Sequence, residues 1–278
     1  MLFAKMHVAL SYPYIEDLAK NIGGDKMQYI CLSKGSWDPH FVVPKPSLIA
    51  KVRRADAIII NGAQLEIGWL PPLINSSGNP KVSPSAPTFL NLAQQVELLQ
   101  KPLVVDRSLG DIHPAGNPHF HLDPNNIPLL AKSIKDFFCK IDAPNSETYE
   151  KNYVSFVGEW ESHLAVWQQK MEDKKGLKVV QFHDNLAYFN HAYGLVNIGT
   201  IEPLPGIPPS SKHTMELINI IEKEKPYAIL HDVYHSKKAA EFIASKTDIK
   251  IIEMPHDVGA KEDIHSLKEL FDYLTGAL

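Results

Sequence analysis

The feature that most constrains the fold is an alternation of short apolar runs with amphipathic stretches. The runs are rich in β-branched residues and have the length of strands, and the stretches between them carry apolar residues at helical spacing. Strands separated by helices form parallel sheets with helices on both faces. We predict strands at 6–11, 27–32, 57–61, 102–106, 177–182, 195–199, 227–231 and 249–253. We predict helices at 12–22, 47–55, 66–75, 88–100, 126–140, 212–224, 236–246 and 261–274.

A long segment without proline divides this alternation into two halves. Residues 146–175 contain one glycine, and their apolar residues recur at helical intervals. The segment predicts a helix of roughly 28 residues, about 42 Å long at 1.5 Å per residue. We therefore expect an α/β protein with two lobes, 1–145 and 176–278, each a mainly parallel sheet flanked by helices, joined by this one rigid helix. The alternative is a long packing helix inside a single domain.

Composition narrows the kind of site that the chain can carry. The net charge is −4 and there is no long basic run, so a nucleic-acid partner is not expected. Two cysteines, Cys31 and Cys139, form neither a disulfide framework nor a cysteine-based zinc site. Because the chain holds thirteen histidines, a metal would be bound by imidazoles and carboxylates.

The N-terminus bears on where the protein works. No apolar stretch approaches the roughly 18–20 residues of a membrane span. The first residues also lack the basic region and cleavage site of a signal peptide. The chain is therefore expected to be either cytosolic or a mature chain whose signal has been removed.

Four histidines follow predicted strands, two in each half. Ligands of open parallel sheets bind beyond the carboxyl ends of the strands, so these imidazoles are expected to converge in a cleft between the lobes. Four nitrogen ligands suit tetrahedral zinc. The four candidate ligands are His40, His119, His183 and His256.

One of these histidines lies in an unusual loop, GDIHPAGNPHFHLDP, at 110–124. Its three prolines exclude a helix and a central strand. We expect the stiffened loop to present His119 towards the cleft with little conformational entropy left to lose. His113 and His121, in the same loop, are expected to assist or tune metal capture.

Other residues beside these loops leave alternatives open. Any loop histidine can simply be solvated, and Asp184 and Asp257 directly follow two of the candidates. His231 and His235 also follow a strand and are reserve candidates. The remaining histidines are expected to be structural or on the surface: His7, His163, His191, His213 and His265.

Four motifs in order resemble the zinc/manganese class of ABC-transporter substrate-binding proteins. The stretch IGGDKMQYICLSKGSWDPHF resembles the first half of that family with its PH metal loop, and NPHFHLDP resembles its PHxWLDP loop. VVQFHDN and IIEMPHDVG are similar to its third and last metal loops. The resemblance covers nearly the whole chain, and GDIHPAGNPH with EPLPGIPPS looks like a separate branch.

The resemblance implies a ligand for each of these loops. The first three ligands fall on His40, His119 and His183. The fourth is generally an aspartate in an LDPLG-like loop, and MPHDVG has His256 at that position; Asp257, His231 or a water are the alternatives. His121 replaces the usual aromatic residue. The long His-rich loop of zinc members is missing, and His113 is the candidate for a reduced version of it.

The resemblance also implies a function. The leading interpretation is a monomeric protein in the periplasm, or otherwise outside the cytoplasm, that captures Zn²⁺ and delivers it to an ABC permease in the inner membrane. Imidazole ligands favour zinc over Mn²⁺. The long helix implies limited lobe closure. One alternative is a Mn²⁺-specific binding protein of the same fold. Another is a zinc-dependent hydrolase with Asp184 or Glu66 as its base, and a third is a surface adhesin or a metal buffer with the same fold.

Overall fold

Two parallel four-stranded sheets form the framework of the protein. The computed structural model describes residues 5–102, 113–204 and 206–278. The first sheet has the order β2-β1-β3-β4, and the second has the equivalent order β6-β5-β7-β8. Every strand pair is parallel, which confirms the predicted fold class. The strands are β1 (Met6–Leu10), β2 (Met27–Cys31), β3 (Ala57–Ile60), β4 (Phe89–Asn91), β5 (Lys178–Gln181), β6 (Val196–Thr200), β7 (Ala228–His231) and β8 (Lys250–Glu253).

Helices flank both sheets. The first four begin with a proline in their first turn, where its missing N–H has no helical partner to lose. None of the helices in the described ranges is long and apolar enough to cross a membrane. The helices are α1 (Pro13–Gly23), α2 (Pro46–Arg53), α3 (Leu70–Ser77), α4 (Ile127–Ile141), α5 (Ser146–Met171), α6 (Ala187–Tyr193), α7 (Ser211–Glu224), α8 (Lys238–Thr247) and α9 (Leu267–Gly276).

The long helix between the sheets is confirmed. Helix α5 spans 26 residues and packs against α1, α4 and α9. Trp160 Nε1 donates to the carbonyl of Pro124, in the first half of the chain, at 2.8 Å, and Trp167 Nε1 donates to Asp272, in the second half, at 2.8 Å. One apolar core runs continuously from the first sheet through this helix to α9. The helix is therefore a packing element as well as a connector.

Some predicted elements differ from the structure. The helix predicted at 88–100 is wrong, because Phe89–Asn91 instead form β4 beside β3. The Asn91 side chain then accepts the N–H of Ala93 and opens a short 3₁₀ turn. The predicted strand at 102–106 lies, from residue 103 on, outside the described residues. Helix α9 begins six residues later than predicted, where the Ser266 hydroxyl caps it, and the sequence analysis missed α6 altogether.

Candidate metal centre

Three of the four predicted ligands come together at the carboxyl ends of the strands. His40 lies in the loop between β2 and α2, His119 in the loop before α4, and His183 directly after β5. Each offers one ring nitrogen, and these nitrogens all lie within 4.8 Å of one another. We call this group the three-histidine cluster. It draws two residues from the first half of the chain and one from the second, so it lies between the sheets.

His119 is the most enclosed member of the cluster. Its side chain is 1% exposed, and in the described part of the chain neither ring nitrogen has a hydrogen-bond partner. Buried polar atoms without partners are costly, and a cation bound to the lone-pair nitrogen of this ring would satisfy one of them. Burial holds the pKa of His119 well below its usual value, and His40 and His183 lower it further. The ring is therefore neutral at pH 7, the form that binds metal.

The loop that carries His119 is held by side-chain amides. The His119 N–H donates to the side-chain oxygen of Asn117 at 3.0 Å. Asn61, at the end of β3, donates to the carbonyl of Pro118 at 3.0 Å. Both bonds hold the peptide that joins Pro118 to His119. The expectation of a stiff presenting loop therefore agrees with the hydrogen bonding around it.

The other two cluster members are each oriented by a carboxylate. His40 Nδ1 lies 2.9 Å from Asp38 Oδ1, and His183 Nδ1 lies 2.5 Å from Glu202 Oε2. A carboxylate only accepts hydrogen bonds, so each Nδ1 carries the proton and each Nε2 keeps its lone pair for a metal. The two carboxylates also supply negative charge behind the imidazoles, which favours a divalent cation.

Neither carboxylate was among the residues predicted for the site. Asp38 lies two residues before His40, in the motif DPH, so a local signal existed. Glu202 lies 19 residues after His183 and reaches it only through the pairing of β5 with β6. No spacing in the sequence reveals such a contact.

His256 is not part of the three-histidine cluster. It is 2% exposed, its backbone carbonyl accepts a hydrogen bond from His121 Nε2 at 2.8 Å, and its ring lies edge-on to Tyr234. His121 stacks on Tyr14, with ring centroids 4.2 Å apart. The structure therefore places His121 and His256 in a contact between the two halves of the chain. Asp257, next to His256 in the sequence, is also buried, and burial raises the pKa of its carboxyl well above the usual value.

The reserve candidates, His231 and His235, are engaged with Asp232. His231 is fully buried, and its Nδ1 lies 2.6 Å from the carbonyl of Asp232. His235 pairs with the carboxylate of Asp232 at 2.8 Å, and its ring centroid lies 6.2 Å from that of His183. Neither belongs to the three-histidine cluster.

A cavity opens beside the cluster. It encloses about 210 Å³, room for about seven waters at roughly 30 Å³ each. A hydrated cation therefore fits beside the imidazoles. The lining residues are Gln100, Pro102, His113, Asn117, Pro118, His119, His183 and Asp184.

The two candidate bases of the hydrolase alternative have other partners. Glu66 is buried, and its carboxylate accepts the N–H groups of Asn61 and Gly62 at 2.7 and 3.1 Å. Asp184 accepts from the side chain of Gln100 at 2.7 Å. Neither carboxylate is held free beside the cluster to activate a water.

Known proteins resemble this chain over most of its length. The iron ABC transporter substrate-binding lipoprotein MtsA of Streptococcus pyogenes serotype M1 is 26% identical over 259 residues, which cover 89% of this chain and 78% of the relative. The high-affinity zinc uptake system protein ZnuA of Bacillus subtilis (strain 168) is 23% identical over 250 residues, covering 88% and 76%.

Solved structures share the fold. A crystal structure of ZnuA superposes with a TM-score of 0.81 at 25% identity and covers 99% of both chains. The substrate-binding protein FpvC of Pseudomonas aeruginosa, solved in complex with Mn²⁺, superposes with a TM-score of 0.82 at 20% identity and covers 98% of this chain and 95% of FpvC. Because the identity with FpvC is only 20%, this likeness supports the shared fold alone.

A family model decides the assignment. The model described as "zinc-uptake complex component A periplasmic" (ZnuA) matches residues 8–272, almost the whole chain. Members of this family are solute-binding proteins and not enzymes, which sets the hydrolase alternative aside. The chain belongs to the ZnuA family and is a metal-binding substrate-binding protein of an ABC importer.

Proposed function

We propose that the protein captures Zn²⁺ with His40, His119 and His183 and delivers it to its permease. The observation that carries this proposal is the meeting of three imidazoles whose nitrogens lie within 4.8 Å of one another. Zinc accepts nitrogen ligands readily, whereas manganese favours carboxylate, carbonyl and water oxygens. The nearest carboxylates, Asp38 and Glu202, are engaged with ring nitrogens of the cluster, which supports zinc as the cargo.

The names of the relatives support a location and a partner for this function. The Streptococcus and Bacillus relatives are named as a substrate-binding lipoprotein and a zinc uptake protein. We infer that this protein also works outside the cytoplasm, as a monomer, and presents its metal to a permease in the inner membrane. The continuous core through α5 supports limited movement between the lobes, because a large rotation would break that packing.

The ligand set is tested by titration calorimetry of metal-stripped protein with Zn²⁺ and Mn²⁺. We expect one tight zinc site, weaker manganese binding, and a large loss of zinc affinity in His40→Ala, His119→Ala and His183→Ala. His191→Ala is the matched control, because this histidine is exposed on α6. His256→Ala belongs in the same series, since His256 stays the sequence-based prediction for the fourth ligand. Tighter binding of manganese, or a site indifferent to His40 and His119, would overturn the proposal.

A further inference from the structure

The imidazole of His113 lies beside the three-histidine cluster. Its ring centroid is 5.4 Å from that of His40. The rings of His119 and His183 lie at the same 5.4 Å from His40. Around His40, His113 is therefore as close as the two cluster members. It also lines the same cavity as His119 and His183.

One nitrogen of His113 is available to a cation. Its Nε2 is buried, and among the residues that the structure describes it meets no hydrogen-bond partner. A buried nitrogen without a partner is costly, and a bound cation would satisfy it.

The competing candidates lie in the contact between the two halves of the chain. His256 Nδ1 is likewise buried without a partner among the described residues, but its ring packs edge-on against Tyr234. Its backbone carbonyl accepts from His121, which joins the loop before α4 to the loop after β8. The carboxylate of Asp257 accepts the N–H of Val258 at 2.7 Å.

We propose that His113, rather than His256, supplies the fourth ligand through Nε2 and completes a four-histidine site for a tetrahedral divalent cation. This inference rests on the proposed function, because it adds a ligand to the same three-histidine cluster. His113 lies outside the group whose nitrogens are within 4.8 Å of one another. Its ring therefore moves towards the other three when the cation arrives. Four neutral imidazoles would make the site more selective for zinc over oxygen-preferring cations than three.

The experiment combines affinity with a direct view of the coordination. Zn²⁺ affinity is measured by competition with a chromophoric chelator for wild type, His113→Ala, His256→Ala and the control His191→Ala. Co²⁺ is then used as a probe, because four-coordinate cobalt absorbs visible light much more strongly than six-coordinate cobalt. X-ray absorption of the zinc-loaded proteins counts the imidazole ligands.

We expect His113→Ala to weaken zinc binding at least about tenfold, since loss of even an outer partner of a ligand costs about 10–100-fold. It should also replace one of four imidazoles by water and change the cobalt spectrum. His256→Ala should keep four imidazoles and the wild-type cobalt spectrum. His113→Gln is a second variant that keeps a polar side chain at this position without offering an imidazole, and it should behave like His113→Ala.

Two results would overturn the inference. If His256→Ala loses an imidazole while His113→Ala keeps all four, the fourth ligand is His256. If wild type shows three imidazoles, the fourth position belongs to solvent or an oxygen ligand. In both cases tight zinc binding that depends on His40 and His119 would leave the proposed function intact. Absence of tight zinc binding in wild type would instead refute the proposed function itself.

Discussion

Gly35 is the position where a single methyl group should disturb both the fold and the site. It is buried in the loop after β2, five residues before His40. A Cβ added there would lie 1.9 Å from the carbonyl oxygen of Val258, 2.7 Å from the nitrogen of Ala260 and 2.8 Å from the carbonyl carbon of Gly259. All three atoms are backbone atoms of the loop after β8. The contact is therefore one of main chain against main chain between the two halves of the molecule.

The size of the effect follows from these distances. Ordinary contact for a Cβ begins at 3.4 Å, so Gly35→Ala must separate the loops by about 1.5 Å, the difference between 3.4 and 1.9 Å. Overpacking of this kind costs about 1–3 kcal/mol. We expect the upper part of that range, about 2–3 kcal/mol, because backbone atoms cannot swing aside as a side chain can. With a urea slope of about 3 kcal/mol/M, the midpoint should fall by about 0.7–1 M.

Urea unfolding of metal-free protein tests this expectation, with Gly158→Ala as the matched control. Gly158 is exposed in α5, and a Cβ there meets no atom within 4 Å. In a helix interior the same substitution should stabilise by about 0.5–1 kcal/mol. The two substitutions are thus predicted to change the free energy of unfolding in opposite directions. Zinc affinity should fall in Gly35→Ala only, since His40 lies in the displaced loop. A Gly35→Ala midpoint equal to or above that of wild type would refute the reasoning.

Two further predictions concern the metal site and its neighbourhood. Glu202→Gln keeps an acceptor for His183 Nδ1 but removes the charge, so zinc affinity measured by chelator competition should fall about 10–100-fold. The control Glu222→Gln, at an exposed position on α7, should leave the affinity unchanged. Equal zinc affinities of the two variants would exclude a role for the Glu202 charge. The second prediction concerns pH, because burial lowers the pKa of His121 from 6.5 to about 3. Between these values the unfolded chain binds a proton that the folded protein does not, so this residue removes stability as pH falls below 6.5, by about 1.4 kcal/mol per pH unit. His121→Phe keeps an aromatic ring stacked on Tyr14 but has no titratable group. Between pH 7 and pH 5 its free energy of unfolding, measured in urea, should therefore fall by about 2 kcal/mol less than that of wild type. Equal decreases in the two proteins would contradict the assigned pKa.

Much of the fold could be predicted because its signals are local. Hydrophobic periodicity within a few residues marks strands and helices, and it located the long helix α5 and seven of the eight strands in the described ranges. The exception illustrates the limit of such signals. Phe89 and Leu90 are apolar in a stretch with helical spacing, but their partner is β3, thirty-one residues earlier in the chain. A pairing at that separation leaves no trace in the local pattern.

The sequence by itself predicted that four loop histidines would converge, because parallel strands bring their carboxyl ends, and the loops that follow them, to one edge. Three of them, His40, His119 and His183, lie together, whereas His256 lies outside the group. Only the tertiary structure decided what surrounds each imidazole. Glu202 reaches His183 across a strand pair, and His121 meets His256 from 135 residues away. The packing of the two sheets against each other decides that His113 lies beside the cluster and that His121 joins the two halves. That packing is the sum of many weak contacts between distant residues, and no motif of a few residues encodes it.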